Sequence, residues 1–396
     1  MNKRFFWAGP LILLAVCGHA AFQVPGYELV YSYPVETSLA EPDMRPAREV
    51  WPQMLDAART SIDLNQFYVS PAPGEALDAT LAALARAGRR GVHIRVILEK
   101  KFAPQSREGL ERLRKMPNLE VRMLDWAQVA GAGIVHAKYF VVDSARAFVG
   151  SQNFDWRSLQ HIHEMGLAVA DGPVVRQIQI VFDHDWKLAG STGPFTPDHV
   201  ENPRPDRSRR AYLVASPWRF DPPGVGDSES ELIRLIGEAQ AEVVVQVFKY
   251  EPLTFVKPQR LYPIIDNALR DAAVRGVRVK LLVSDWSADA AALPHLRSLA
   301  ALPNIEVRVI TIPPARGGPI PYARLAHSKY MVVDGRTLWL GTSNWMGGYL
   351  DDSRNLEVVL KDQAMAGRAA SVHKRLWDSS YAVALDTTCI SSPYTK

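Results

Sequence analysis

Two histidines, two lysines and two asparagines stand at matched spacings in the two halves of this 396-residue chain. His136, Lys138 and Asp143 read H-x-K-x-x-x-x-D, and His327, Lys329 and Asp334 repeat the pattern. Gly150-Ser151-Gln152-Asn153 follows His136 at the same distance as Gly341-Thr342-Ser343-Asn344 follows His327. Cleavage of a phosphodiester needs a nucleophile, a proton for the departing oxygen and donors for the non-bridging oxygens. One neutral histidine can attack phosphorus while a second, protonated one supplies the proton, a contribution of roughly 10²–10⁴-fold. Two lysines and two asparagines bring the donors that a magnesium ion would otherwise supply. The pattern therefore implies one composite phosphate site built from both halves, working through a phosphohistidine with no metal and no cofactor.

Each imidazole also needs its second ring nitrogen held, which sets its tautomer and direction. Glu164 lies 28 residues after His136, and Glu357 lies slightly farther beyond His327, each within an apolar run. Both are expected to take that orienting role. Tyr139-Phe140-Val141-Val142 and Tyr330-Met331-Val332-Val333 follow the motifs as strands. On a strand, residues i and i+2 share a side. His136 and Lys138 then project together, as do His327 and Lys329. Asp143 and Asp334 fall at odd spacing at the strand ends and are expected to fix turns. Ser151 and Thr342 belong to the motif tails as structural residues.

The repeat extends beyond the motifs. Gly91-Val92-His93-Ile94-Arg95 matches Gly276-Val277-Arg278-Val279-Lys280, and Asn118-Leu119-Glu120-Val121-Arg122 matches Asn304-Ile305-Glu306-Val307-Arg308. Units this long are duplicated domains, not solenoid repeats. Periodicity predicts helices over 49–60, 75–87 and 106–115 and strands over 61–68, 92–98 and 119–123 in the first half. The second half repeats the order: helix 230–239, strand 242–248, helix 261–273, strand 277–283. Alternating helices and strands predict an α/β sheet covered on both faces. Residues 22–50 read as irregular, and the proline-rich stretch 191–210 as a linker.

Other residues carry weaker signals. His161 and His163 flank Glu164 as H-x-H-E, but the second half has no counterpart, so surface or supporting roles are expected. Phe67, Tyr68, Phe154, Trp156, Phe248, Tyr250, Trp286, Trp345 and Tyr349 lie near strand ends or motif tails, where packing competes with base stacking. Arg86, Arg89 and Arg90 cluster at a predicted helix end that solvent explains as well as a phosphate backbone does.

The composition, 47% hydrophobic and 22% charged, is that of a globular chain. The net charge of +4 mildly favours anionic substrates. Asn2-Lys3-Arg4, an apolar run from Phe5 to Val16 and Gly18-His19-Ala20 read as an export signal, residues 1–20, cut after Ala20. Cys17 raises lipidation, but Val16 before it is larger than a lipoprotein site prefers. Removal of the leader leaves Cys389 alone, which excludes an internal disulfide and zinc–thiolate clusters.

The doubled H-x-K-x-x-x-x-D resembles the signature of the phospholipase D superfamily. A narrower likeness joins Gly150–Leu159, Leu261–Asp266, Pro321–Arg324 and Gly341–Trp345 to the animal lysosomal phospholipase D-like 5′ exonuclease branch. The resemblance implies two homologous phospholipase D-type α/β domains, 21–190 and 211–396, packed around a single shared active site. It implies His136 as nucleophile, His327 as general acid/base, and Lys138, Lys329, Asn153 and Asn344 as phosphate ligands. The expected substrate is single-stranded nucleic acid cut from a 5′ end, or alternatively a phospholipid met at a membrane surface. A non-catalytic envelope protein is the third reading, against which two intact motifs argue.

Overall fold

The computed structural model describes residues 21–191 and 204–386. The expected leader 1–20 with Cys17, most of the 191–210 linker and Cys389 lie outside them.

Each half is built on one sheet. In the first, eight strands run in the order Gln23–Val24, Tyr27–Ser32, Glu164–Val169, Arg146–Gly150, Tyr139–Val142, Ser61–Gln66, His93–Glu99, Leu119–Leu124. The second half places Gly226–Asp227, Ala211–Ser216, Asn355–Lys361, Thr337–Gly341, Tyr330–Val333, Glu242–Val247, Arg278–Ser284, Ile305–Ile310 and Ala382–Ala384 side by side. Neighbouring strands joined through an α-helix run parallel in each half, as in Ser61–Gln66 beside His93–Glu99 and Glu242–Val247 beside Arg278–Ser284. The motif strands pair antiparallel with the strand that carries the motif tail, closing a hairpin.

Strand parity divides the core, because successive side chains point to opposite faces of a sheet. Tyr139 and Val141 face the other half, while Phe140 and Val142 face helices Ala47–Asp56, Leu77–Arg89 and Arg107–Arg114. Tyr330 and Val332 face inward in the second half, and Met331 and Val333 face helices Ser228–Glu238, Ile264–Val274 and Leu293–Ala300. The two sheets thus share an inner core with the long helices Gly172–Leu188 and Gln363–Trp377, through Ile178, Phe182, Val372 and Leu376. Each such side chain contributes roughly 1.5–3 kcal/mol on burial, so the halves are held together by core packing.

Three features of the fold differ from those the sequence predicts. Residues 22–50 are irregular only in part: 33–45 is turns and loop, but Tyr27–Ser32 is a strand paired antiparallel with Glu164–Val169. The helix expected from 261 starts at Ile264, because Leu261 and Tyr262 bond to the chain at Leu253 and Pro252. The two long inner helices fall outside the expected elements, although both carry a start signal. Asp171, before Gly172-Pro173, and Asp362 accept the N–H groups of Val174 and Met365, as N-caps do.

Candidate active site

The turn aspartates come first, because they place the strands beside each motif. Asp143 accepts the N–H groups of Arg59, Thr60 and Ser61, and Asp334 those of Gln240, Ala241 and Glu242. Burial alone would raise the pKa of each carboxyl. These hydrogen bonds outweigh it and hold both below the usual range. Their φ values are positive, 53° and 51°. Aspartate tolerates that conformation better than most residues. Both act on the fold and stand away from the reaction, as the odd spacing implies.

Each motif is then tied to the opposite half. The N–H of His136 donates to the carbonyl of Arg354 at 2.9 Å, and the N–H of Arg354 donates to the carbonyl of Ile134 at 3.0 Å. Likewise the N–H of His327 donates to the carbonyl of His163 at 2.8 Å, and that of His163 to Leu325 at 2.8 Å. Positions 354 and 163 immediately precede the residues that meet the imidazoles. Nδ1 of His327 lies 2.8 Å from Glu164 Oε2, and Nδ1 of His136 lies 2.9 Å from Asn355 Oδ1.

Here the expectation for Glu357 is corrected. It holds no histidine; it accepts the N–H and hydroxyl of Ser343 and the hydroxyl of Ser228, and so props the second motif tail. Gly341 pairs with Glu357, as Gly150 pairs with Gly166, so Glu357 is the counterpart of Gly166. The counterpart of Glu164 is Asn355, which lies as far after His327 as Glu164 lies after His136. An equal-spacing search would have found it.

The two backing residues are themselves pinned. Ser158 donates to Glu164 Oε1 at 2.6 Å and accepts the N–H of Asn153 at 3.0 Å. Thr342 donates to Asn355 Oδ1 at 2.8 Å. Ser151 occupies the equivalent place in its own tail, bonded to both backbone groups of Met165. The Asn355 Nδ2 group donates to the carbonyls of Tyr349 and Ser353. That network sets the amide orientation, so only Oδ1 faces His136. An acceptor there requires the proton on Nδ1 of His136, which leaves Nε2 with its lone pair.

Lys138 and Lys329 are fully buried, each donating to the carbonyl of its own motif histidine and lying 5.0 Å and 5.4 Å over the rings of Phe67 and Phe248. Burial disfavours a charged amine. It pushes both lysines down, Lys329 to about 7, and Lys329 depresses Lys138 further. Burial, then the two lysines, also hold both histidines well below the usual range. Glu164 moves the other way, up to about 7, because burial outweighs Lys329 and Ser151. A surplus of buried donors facing one point is a cradle for an anion. Asn153 and Asn344 are buried at the ends of the two motif tails, and each side-chain amide brings an Nδ2 donor suited to the same anion.

The remaining candidates separate cleanly. Phe67 and Tyr349 flank His136 at 5.2 Å and 4.8 Å, and Phe248 lies 4.8 Å from His327. Phe154 stacks on Trp51, Trp345 packs on Trp339, and the Tyr250 hydroxyl bonds Asp266, so these are core residues. Tyr68 bonds Asp155, and Trp156 packs edge-on against His161. His163 is buried between the halves, its Nδ1 within reach of Gln246 and Ser328. Arg86 pairs with Asp56, and Arg90 donates to carbonyls at the end of the same helix, so that cluster joins two helices.

Comparison with known proteins agrees with this geometry. The profile of a family described as cardiolipin synthase, PLD-like domain, matches residues 52–186 and again 232–377. The chain belongs to the phospholipase D superfamily. It is 31% identical over 382 residues to the human protein named 5'-3' exonuclease PLD3, covering 87% of this chain and 77% of that one. It is 30% identical over 367 residues to phospholipase D Z of Dictyostelium discoideum, covering 86% of each. Phosphatidylserine synthase of Haemophilus influenzae shares the fold with a TM-score of 0.64 over 93% of this chain and 90% of that one, at 14% identity. A polyphosphate kinase of Porphyromonas gingivalis does so at 0.60 over 91% of this chain and 49% of its own, at 15% identity. This phospholipase D-like chain is therefore a phosphodiesterase with one α/β domain around each motif.

Proposed function

We propose that this phosphodiesterase is an exported exonuclease that degrades single-stranded nucleic acid from a 5′ end through a phosphohistidine. The observation that carries the substrate is the identity, across most of the chain, to proteins named 5'-3' exonuclease. In the first step, Nε2 of His136 attacks phosphorus, and the departing oxygen takes a proton from His327, whose cationic form Glu164 stabilises. In the second, His327 takes a proton from water as that water attacks phosphorus, and the N–P bond to His136 breaks. Lys138, Lys329, Asn153 and Asn344 hold the non-bridging oxygens in both steps. The bound phosphate anion supplies the counter-charge that keeps the buried lysines protonated.

A second reading has its own support in the likeness to phospholipase D Z. The same covalent intermediate, met by an alcohol in place of water, exchanges lipid head groups. Purified protein with EDTA is tested in parallel on 5′-labelled oligonucleotides and phosphatidylcholine vesicles. Shortening from the labelled end supports the nuclease; release of head groups with intact oligonucleotides replaces it by the lipid enzyme.

Export rests on residues 1–20 as a leader. Intact mass of protein recovered outside the cytosol should begin at or next to Ala21; a full-length cytosolic product overturns it. Among the described residues, no helix is long and apolar enough to cross a membrane.

A further inference from the structure

Aromatic rings lead out of the site on the side of His327. From that imidazole the ring centroids step 4.8 Å to Phe248, 6.0 Å to Trp286 and 6.1 Å to Tyr322. Exposure rises along the way: Phe248 is half-buried, Trp286 is 38% exposed and Tyr322 is 67% exposed. Among the described residues, the exposed large hydrophobics include two aromatics, and both stand on this ladder. The rings beside His136, namely Phe67, Phe102, Tyr68 and Tyr349, pack on one another or on His136 and are at least half-buried.

Neither outer ring is there for the core. Trp286 sits on a single 3-10 turn, Asp285–Ser287, beyond the carboxyl end of the strand Arg278–Ser284. Tyr322 has a positive φ of 60°. That conformation is costly for an aromatic residue, and such strain persists where the surroundings enforce it. Here Arg157 of the first half grips the carbonyl of Pro321, and buried Arg324 bonds the carbonyls of Pro313 and Val35. Two anchored arginines thus hold an otherwise exposed aromatic ring beside Trp286, with the Arg157 cation close by.

In-line displacement puts the departing oxygen on the far side of phosphorus from the attacking atom. With His136 attacking, that side is His327 and the ladder beyond it. We infer that Trp286 and Tyr322 form a stacking platform for the base of the nucleoside that leaves with the departing oxygen. This rests on the nuclease reading, and makes Trp286 and Tyr322 determinants of preference for unpaired bases, whose faces are free to stack. The rings on the His136 side, Phe67 and Tyr349 with Phe255 beyond it, are only partly exposed, so the retained nucleoside meets no fully exposed ring among the described residues.

The test uses the intact enzyme and oligonucleotides carrying one abasic residue on either side of the cleaved bond; the phosphate end of the product tells which neighbour departs. An abasic residue on the departing side should raise KM about five- to hundredfold with little change in kcat, the range of one lost base–aromatic stack. Trp286→Ala should raise KM for the intact strand similarly and add little on the abasic strand, while Trp286→Phe restores most of it. Tyr322→Ala should do the same more weakly. Wild-type indifference to the departing-side base, or a Trp286→Ala loss that is equal on abasic strands, overturns the platform and leaves the nuclease standing. Failure to cut any oligonucleotide overturns both. Head-group release that Trp286→Ala abolishes on vesicles, with oligonucleotides intact, would assign the two rings to a lipid surface instead.

Discussion

A carboxylate behind one imidazole and an amide behind the other is the decisive chemical difference between the two motifs. Both histidines are buried and both feel the two lysines, so their environments otherwise match. His136→Ala and His327→Ala should each reduce turnover, by roughly 10²–10⁴-fold for the proton donor and by more for the nucleophile. Trapping separates them: a phosphorylated enzyme should form with His327→Ala and a substrate carrying a good leaving group, and never with His136→Ala. The pH profile carries the same asymmetry. A carboxylate beside an imidazole favours its cation and raises its pKa; removing it does the reverse. Asn355→Asp should therefore move the acid limb of kcat/KM to higher pH, since His136 must lose its proton to attack. Glu164→Gln should move the basic limb to lower pH, since His327 then gives up its proton too early. Unmoved limbs in both variants would show that the backing residues do not tune the pair.

At the scale of elements, the reciprocal tether between halves hangs on Arg354. Its guanidinium is fully buried against Asp185 and Asp221 and also donates to the carbonyls of Ser216 and Phe220, while its backbone holds His136. Arg354→Met strands two buried carboxylates and should cost about 3–5 kcal/mol of stability, read from denaturant midpoints; a loss near zero would mean the carboxylates find other partners. The motif strands, their hairpins and the turn role of Asp143 and Asp334 are legible in the sequence because apolar runs of fixed length and parity are local signals. Glu357 misleads because it stands two positions beyond Asn355, which keeps strand parity and conceals a shifted register. Equal spacing from the motif histidines points to Asn355, and the pairing of Gly341 with Glu357 confirms the slip. Ser158 escapes the sequence reading because its role depends on Glu164 folding back beside Asn153, which tertiary structure alone fixes.

For the whole molecule, one inner core serves both sheets, so neither half carries a complete site or a complete interior. Separately expressed 21–190 and 211–396 should each be inactive and poorly soluble, and co-expression should restore turnover; a single half that is active as a monomer would refute the composite site. The charge supply has a consequence on the same scale. Activity should survive EDTA, because lysines and asparagines already face the phosphate; full loss restored by Mg²⁺ or Zn²⁺ would count against the reading. Affinity for oligonucleotides should fall as salt rises, through release of counterions, whereas action on vesicles should follow the surface presented.

The Gly150–Gly166 and Gly341–Glu357 pairings record more than register. A homodimer of a single half must present the same residue behind both of its histidines, so any change that improves an acid burdens the nucleophile equally. Two copies in one chain lift that constraint: here position 164 is acidic and position 355 neutral. The duplicated chain thus divides the labour between its two halves, and changing Asn355 to an acid would place the same kind of residue behind both histidines, as a symmetric dimer must.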